Sequence, residues 1–113
     1  MGSRYSICFS CPTSDNRAID LAVEFDCRIR GDARGGLGRV KNIIKRHFAE
    51  HIATMDYLSF YKKFNTGEKA VELLLKPISN ECCRNLISLD RLEVVNYVRT
   101  QRKYLGDGPR TDQ

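Results

Sequence analysis

The sequence predicts a single α+β domain: an N-terminal β-hairpin, a long amphipathic helix, a third strand and a C-terminal helix. Three observations predict it. Leu21, Val23, Phe25, Cys27 and Ile29 alternate with other residues, the period-2 signature of a strand with one buried face. Leu37, Val40, Ile44, Phe48, Ile52, Met55 and Leu58 recur at spacings of three and four, one stripe of an α-helix. The chain has 113 residues, 42% of them apolar and 29% charged, enough for one hydrophobic core but not two.

The elements follow in order. Tyr5-Ser-Ile-Cys-Phe-Ser-Cys11 alternates and is rich in β formers, so it reads as the first strand. Pro12-Thr-Ser-Asp-Asn16 is a turn, and the run from Ala18 to Ile29 returns as the second strand of a hairpin. A glycine-rich loop, Arg28 to Arg39, leads into the long helix, in which Thr54 is a candidate cap of a second segment and which Asn65-Thr-Gly67 stops. Val71, Leu73 and Leu75 alternate and Pro77 ends the run, giving the third strand. Ser88 caps a last helix that reaches about Leu105. Residues 1–105 thus form the domain, and 106–113 a frayed tail.

Charge is local. Arg28, Arg30, Arg34, Arg39, Lys41, Lys45 and Arg46 stand against only Asp32, a local +6 that exceeds the +5 of the whole chain. Glycines before a helix N-terminus let backbone amides approach a phosphate, and the macrodipole is positive there. Arg99, Arg102 and Lys103 add a second basic group on the expected last helix. This balance favours RNA as partner, bound through its backbone, with Tyr57, Phe60, Tyr61, Tyr97 and Tyr104 available for stacking. A solvated helix face after a flexible loop would show the same charge run. A protein-interaction or self-associating module is the alternative, with Tyr57, Phe60 and Phe64 as anchors. A homodimer is then a candidate assembly.

The cysteines raise two further readings. Cys8-x2-Cys11 has the spacing of half a zinc site, and His47 and His51 sit one helical turn apart, so the four are candidate ligands of a structural zinc ion. Cys27, Cys82 and Cys83 are substitute ligands; buried thiols and half-buried histidines that merely fill the core are the plain alternative. Cys11-x5-Arg17 also matches a phosphatase loop, a remote alternative because that loop has no glycine and the strongest neighbouring pattern is a strand. No convincing catalytic set emerges, so no enzymatic activity is expected. Five cysteines, an odd number, without a secretory leader point to a reducing compartment. No stretch has the ~18 apolar residues of a membrane span. Gly2 and Ser6 match the myristoylation pattern, but the match is short and one acyl chain anchors weakly, so membrane anchoring is not expected.

The stretch Tyr5-Ser-Ile-Cys-Phe-Ser-Cys-Pro-Thr-Ser14 resembles the cysteine-pair segment of the sobemovirus first-reading-frame proteins, small plant-virus suppressors of RNA silencing. The resemblance covers roughly ten residues. It departs from the family's further paired cysteines, since Cys82 and Cys83 are adjacent. It implies a viral accessory protein that binds zinc, suppresses host RNA silencing in the cytoplasm or nucleus, and meets host silencing factors.

Overall fold

The computed structural model describes residues 3–30, 35–63, 67–103 and 110–111. The chain is an α+β fold: an antiparallel sheet with helices packed on one face. Strands β1 (Ser3–Pro12) and β2 (Arg17–Ile29) form the expected hairpin. Helices α1 (Gly36–Ile52), α2 (Tyr57–Lys63) and α3 (Gly67–Arg84) follow. The long strand β3 (Ile87–Lys103) and the two-residue β4 (Arg110–Thr111) complete the sheet, whose order is β3-β2-β1-β4.

Strand alternation sorts the hairpin. Ile7, Phe9 and Cys11 of β1 and Ile19, Leu21, Val23, Phe25 and Cys27 of β2 are buried with Val40, Ile44, Phe48 and Ile52 of α1. Arg4, Ser6 and Cys8 take the opposite face of β1, which no helix among the described residues covers. The turn is closed by Thr13 N–H donating to Arg17 O at 2.9 Å and Asn16 N–H to Thr13 O at 3.0 Å. Asn16 has φ 60, a left-handed conformation that asparagine tolerates. The turn also docks on the helices: Ser14 N–H donates to Met55 O at 2.7 Å, and Tyr57 N–H to Asp15 Oδ1 at 3.1 Å.

The long apolar stripe is split where the sequence raised that option, but Thr54 is not the cap of the second segment. Its hydroxyl donates back to His51 O at 2.6 Å, finishing α1. Asp56 caps α2, its carboxylate accepting from Ser59 N–H at 2.6 Å, which holds its pKa below the usual carboxylate range.

Two expected elements are exchanged. The run expected as a third strand lies inside α3, because a second spacing in the same residues wins: Leu74, Ile78 and Cys82 are buried, with Val71 packed against them. Leu73 and Leu75, the alternating residues, are exposed. Pro77 sits within the helix on its exposed side, where the carbonyl its ring leaves without a donor can meet water. The segment expected as the C-terminal helix is β3. Its register against β2 shifts between Cys27↔Leu89 and Asp26↔Arg91, and again between Val23↔Val94 and Ala22↔Asn96. Asp90 and Val95 are thus extra residues, bulges that stretch the period-2 pattern into steps of three resembling a helix. Of the expected tail, Arg110 and Thr111 pair with Ser10 and Phe9 of β1. The expected helix stop at Asn65 and Thr66, and Tyr104 and Leu105 of the expected last helix, lie outside the described residues. Among the described residues no helix is long and apolar enough to cross a membrane.

Candidate nucleic-acid interface

The first basic group gathers at one end of the sheet. There β2 finishes at Ile29, paired with Ile87 at the start of β3, and α1 begins. Gly35, the residue before α1, has φ 70, a left-handed conformation that glycine adopts without strain. Gly36 is buried against Ile29: a Cβ there would meet Ile29 Cγ2 at 3.0 Å, so the glycine lets the helix start touch the strand end. The first turn carries no acidic residue, no side chain among the described residues caps the helix, and a Cβ at Gly38 would meet open space. Amide donors of that turn stand at the positive end of a 17-residue helix.

The basic side chains divide by partner. Arg28 makes a two-pronged pair with Asp90, Nε at 3.1 Å and Nη2 at 3.0 Å from the two carboxylate oxygens. Arg46 pairs with Glu81, which also accepts from His47 Nε2 at 2.9 Å. The His47 hydrogen bond, followed by that of Arg46, holds the Glu81 carboxyl below its usual pKa. These pairs tie β2 to β3 and α1 to α3, so Arg28 and Arg46 are partly neutralised. Arg30 remains exposed, donating to the neutral Ser88 hydroxyl at 3.3 Å. Arg39 is exposed on the first turn, and Lys41 and Lys45 are half-buried further along α1. Arg34 lies outside the described residues.

Arg99, Arg102 and Lys103 do not join this group. They sit on a strand rather than a helix, where Arg99 pairs with Ile19 and Lys103 with Arg17. The 13 residues of β2 separate that end from Ile29, about 40 Å at ~3.3 Å per residue. Their side chains lie outside what the structure describes.

The proposed zinc ligands are dispersed. On a regular strand, residues three apart point to opposite faces. Accordingly Cys8 is exposed on the open face, whereas Cys11 is fully buried under the helices. His47 is engaged with Glu81, and His51 is half-buried one turn on. As folded, Cys8 and Cys11 do not present two thiolates to one ion, and the four residues do not make a tetrahedral set. Of the substitutes, Cys27 and Cys82 are buried neighbours between β2 and α3. Burial first, then the nearby Cys27, pushes the Cys82 thiol up to about 11. Cys83 is exposed on the far side of the same turn. Burial also raises the Cys11 pKa, followed by the charge of Asp20, the reverse of what a phosphatase nucleophile needs.

Of the expected aromatic anchors, Phe60 is 2% exposed and belongs to the core, Tyr57 is half-buried, and Phe64 lies outside the described residues. Leu58 and Tyr61, at 65% and 52% exposure, are the outward residues of α2 instead. Helical periodicity measured from Phe60 rather than from the α1 stripe would have found them. No sequence signal marks Glu81 or Asp90, which lie 35 and 62 residues from the arginines they neutralise.

Searches of protein-family models and of curated proteins found no match for the chain.

Proposed function

We propose that the chain is a non-enzymatic RNA-binding accessory protein that grips the phosphate backbone at the start of α1. The observation that supports this best is the pairing of a helix start whose first turn carries no acidic residue with Arg30, Arg39 and Lys41 at the same end of the fold. The amides of the first turn supply directed donors, and the cations supply the field. Arg28 and Arg46 contribute less, because carboxylates hold them. Suppression of host RNA silencing, in the cytoplasm or nucleus, is the role that the sobemovirus resemblance gives to such binding. Zinc has no part in this reading.

Binding should weaken steeply with salt, by about 0.7 log units per log unit of salt for each single-strand phosphate contact and about 0.9 for each duplex contact. The Arg39→Ala, Lys41→Ala double variant should flatten the slope by about 1.4 to 1.8, with the melting temperature unchanged. Fluorescence anisotropy with labelled single- and double-stranded RNA in a salt series measures this. Affinity indifferent to salt, or a double variant with the wild-type slope, rules the site out. A protein-interaction module is the second reading, favoured by exposed Leu58 and Tyr61 on α2. Replacing both by Ser would then abolish partner binding and leave RNA affinity intact.

A further inference from the structure

We infer that Leu86 holds an unpaired base of single-stranded RNA, with Arg30 and Arg84 taking phosphates beside it. The inference rests on the reading of the α1 start as an RNA site, and it names the form of RNA that the site takes. Leu86 follows α3 in a left-handed conformation, φ 62. Its N–H donates to Cys83 O at 3.1 Å, and Asn85 N–H to Cys82 O at 2.9 Å, so the chain turns out of the helix there. Helices close at such a position with glycine, or sometimes asparagine, because a Cβ is disfavoured. The other two left-handed residues among the described ones, Asn16 and Gly35, follow that rule. Leu86 does not, and packing does not offset the strain: it is 61% exposed, while the next residue, Ile87, is the buried one. An exposed leucine alone is ordinary. An exposed leucine kept where glycine would be more stable points to a use outside the fold.

The surroundings of Leu86 name the ligand. Arg30 N–H donates to Leu86 O at 2.9 Å, which fastens the turn to the residue that follows β2. Ile29, one residue back, packs against Gly36 of α1. Leu86 therefore belongs to the same end of the fold as the basic site. Arg30 is exposed, and its guanidinium donates to the neutral Ser88 hydroxyl at 3.3 Å. Arg84, in the last turn of α3, is exposed too, with no carboxylate partner seen among the described residues. The carboxylates nearest to Leu86 in sequence are already engaged, Glu81 by Arg46 and His47 and Asp90 by Arg28. An apolar side chain beside two exposed cations suits a nucleobase flanked by its phosphates. A duplex keeps its bases stacked and offers no free face, so the ligand is single-stranded. A membrane surface fits poorly, because one leucine buries little apolar area.

Fluorescence anisotropy with three labelled probes of equal length tests this: a single-stranded oligoribonucleotide, its duplex, and an abasic strand that keeps the phosphates and lacks the bases. The wild type should bind the single strand about tenfold more tightly than the abasic strand. Leu86→Gly should fold at least as stably and bind the single strand about fivefold more weakly, with its salt slope and its affinities for the duplex and the abasic strand unchanged. Leu86→Asn, which also tolerates the left-handed turn, should behave the same and guards against a glycine that loosens the turn. Arg84→Ala should instead flatten the salt slope by about 0.7. Salt-dependent binding that ignores Leu86→Gly, or a variant that weakens the duplex as much as the single strand, overturns this inference and leaves the α1 site standing. Binding of no RNA removes both. Anionic phospholipid vesicles that the wild type binds and Leu86→Gly does not, with RNA affinity unaffected, overturn it in favour of a membrane contact.

Discussion

Phe48→Ala should be among the most damaging single changes in the chain, and its magnitude follows from where the ring sits. Phe48 is completely buried in the core that α1 shares with the hairpin. Its ring stands edge-on to Phe9 of β1, centroids 6.0 Å apart at an interplanar angle of 65°. Removing the ring loses its transfer energy and leaves a cavity between two rigid layers, together about 3–5 kcal/mol. About 0.5–1.5 kcal/mol of that belongs to the aromatic pair itself. Urea titration followed by circular dichroism should report the whole loss. A domain of this size should drop its melting temperature by about 15–25 °C. Phe48→Leu keeps most of the volume and should cost about 1.5 kcal/mol or less. A double-mutant cycle combining Phe48→Leu with Phe9→Leu should recover the pair energy. A Phe48→Ala protein destabilised by less than about 1 kcal/mol would refute the seating of α1 on β1. It would also remove the support for the basic site, which that helix positions.

Two further outcomes test the open face and the α3–β3 turn. Arg91 bridges Glu24 at 2.8 Å, Asp26 at 3.2 Å and Glu93, and Arg4 reaches Asp26 at 3.0 Å. The hydrogen bond from Arg4, then that from Arg91, holds the Asp26 carboxyl below its ordinary pKa. A depressed carboxylate stabilises the fold above its unfolded pKa of about 4, and that contribution is lost as pH falls through the lower folded value. Arg91→Met should therefore be less stable than wild type at neutral pH, with the gap closing in acid; equal gaps at pH values on both sides of the window would count against the network. Leu86 holds φ 62 while 61% exposed, so Leu86→Gly should stabilise the protein by about 0.5–1 kcal/mol in thermal melts, and a loss of stability would mean the left-handed turn is wrong.

What the sequence shows plainly is local and uninterrupted. The hairpin and α1 are legible because each carries one dominant period, and the apolar residues of that period are the ones the fold buries. Residues 71–77 carry two periods at once; the choice between Leu73–Leu75 and Leu74–Ile78 depends on which side meets β3, which no local window contains. In β3 the bulges at Asp90 and Val95 convert alternation into helical spacing, and only the partner strand shows that those residues are surplus.

The basic site has the same limit, and its consequence is functional. Counted along the chain, seven cations from Arg28 to Arg46 form one cluster. Folding pairs Arg28 with Asp90 and Arg46 with Glu81, and it carries Arg99 to the far end of β2. Charge density along the sequence therefore overstates the field at any one surface. The helix start stands apart for a different reason, the absence of any carboxylate in its first turn, beside Arg39 and Lys41, for which no carboxylate partner is seen among the described residues. Substitutions there should alter RNA binding with little cost to the fold, whereas Arg28→Ala and Arg46→Ala should register first in stability, because each leaves a carboxylate of another element without its cation.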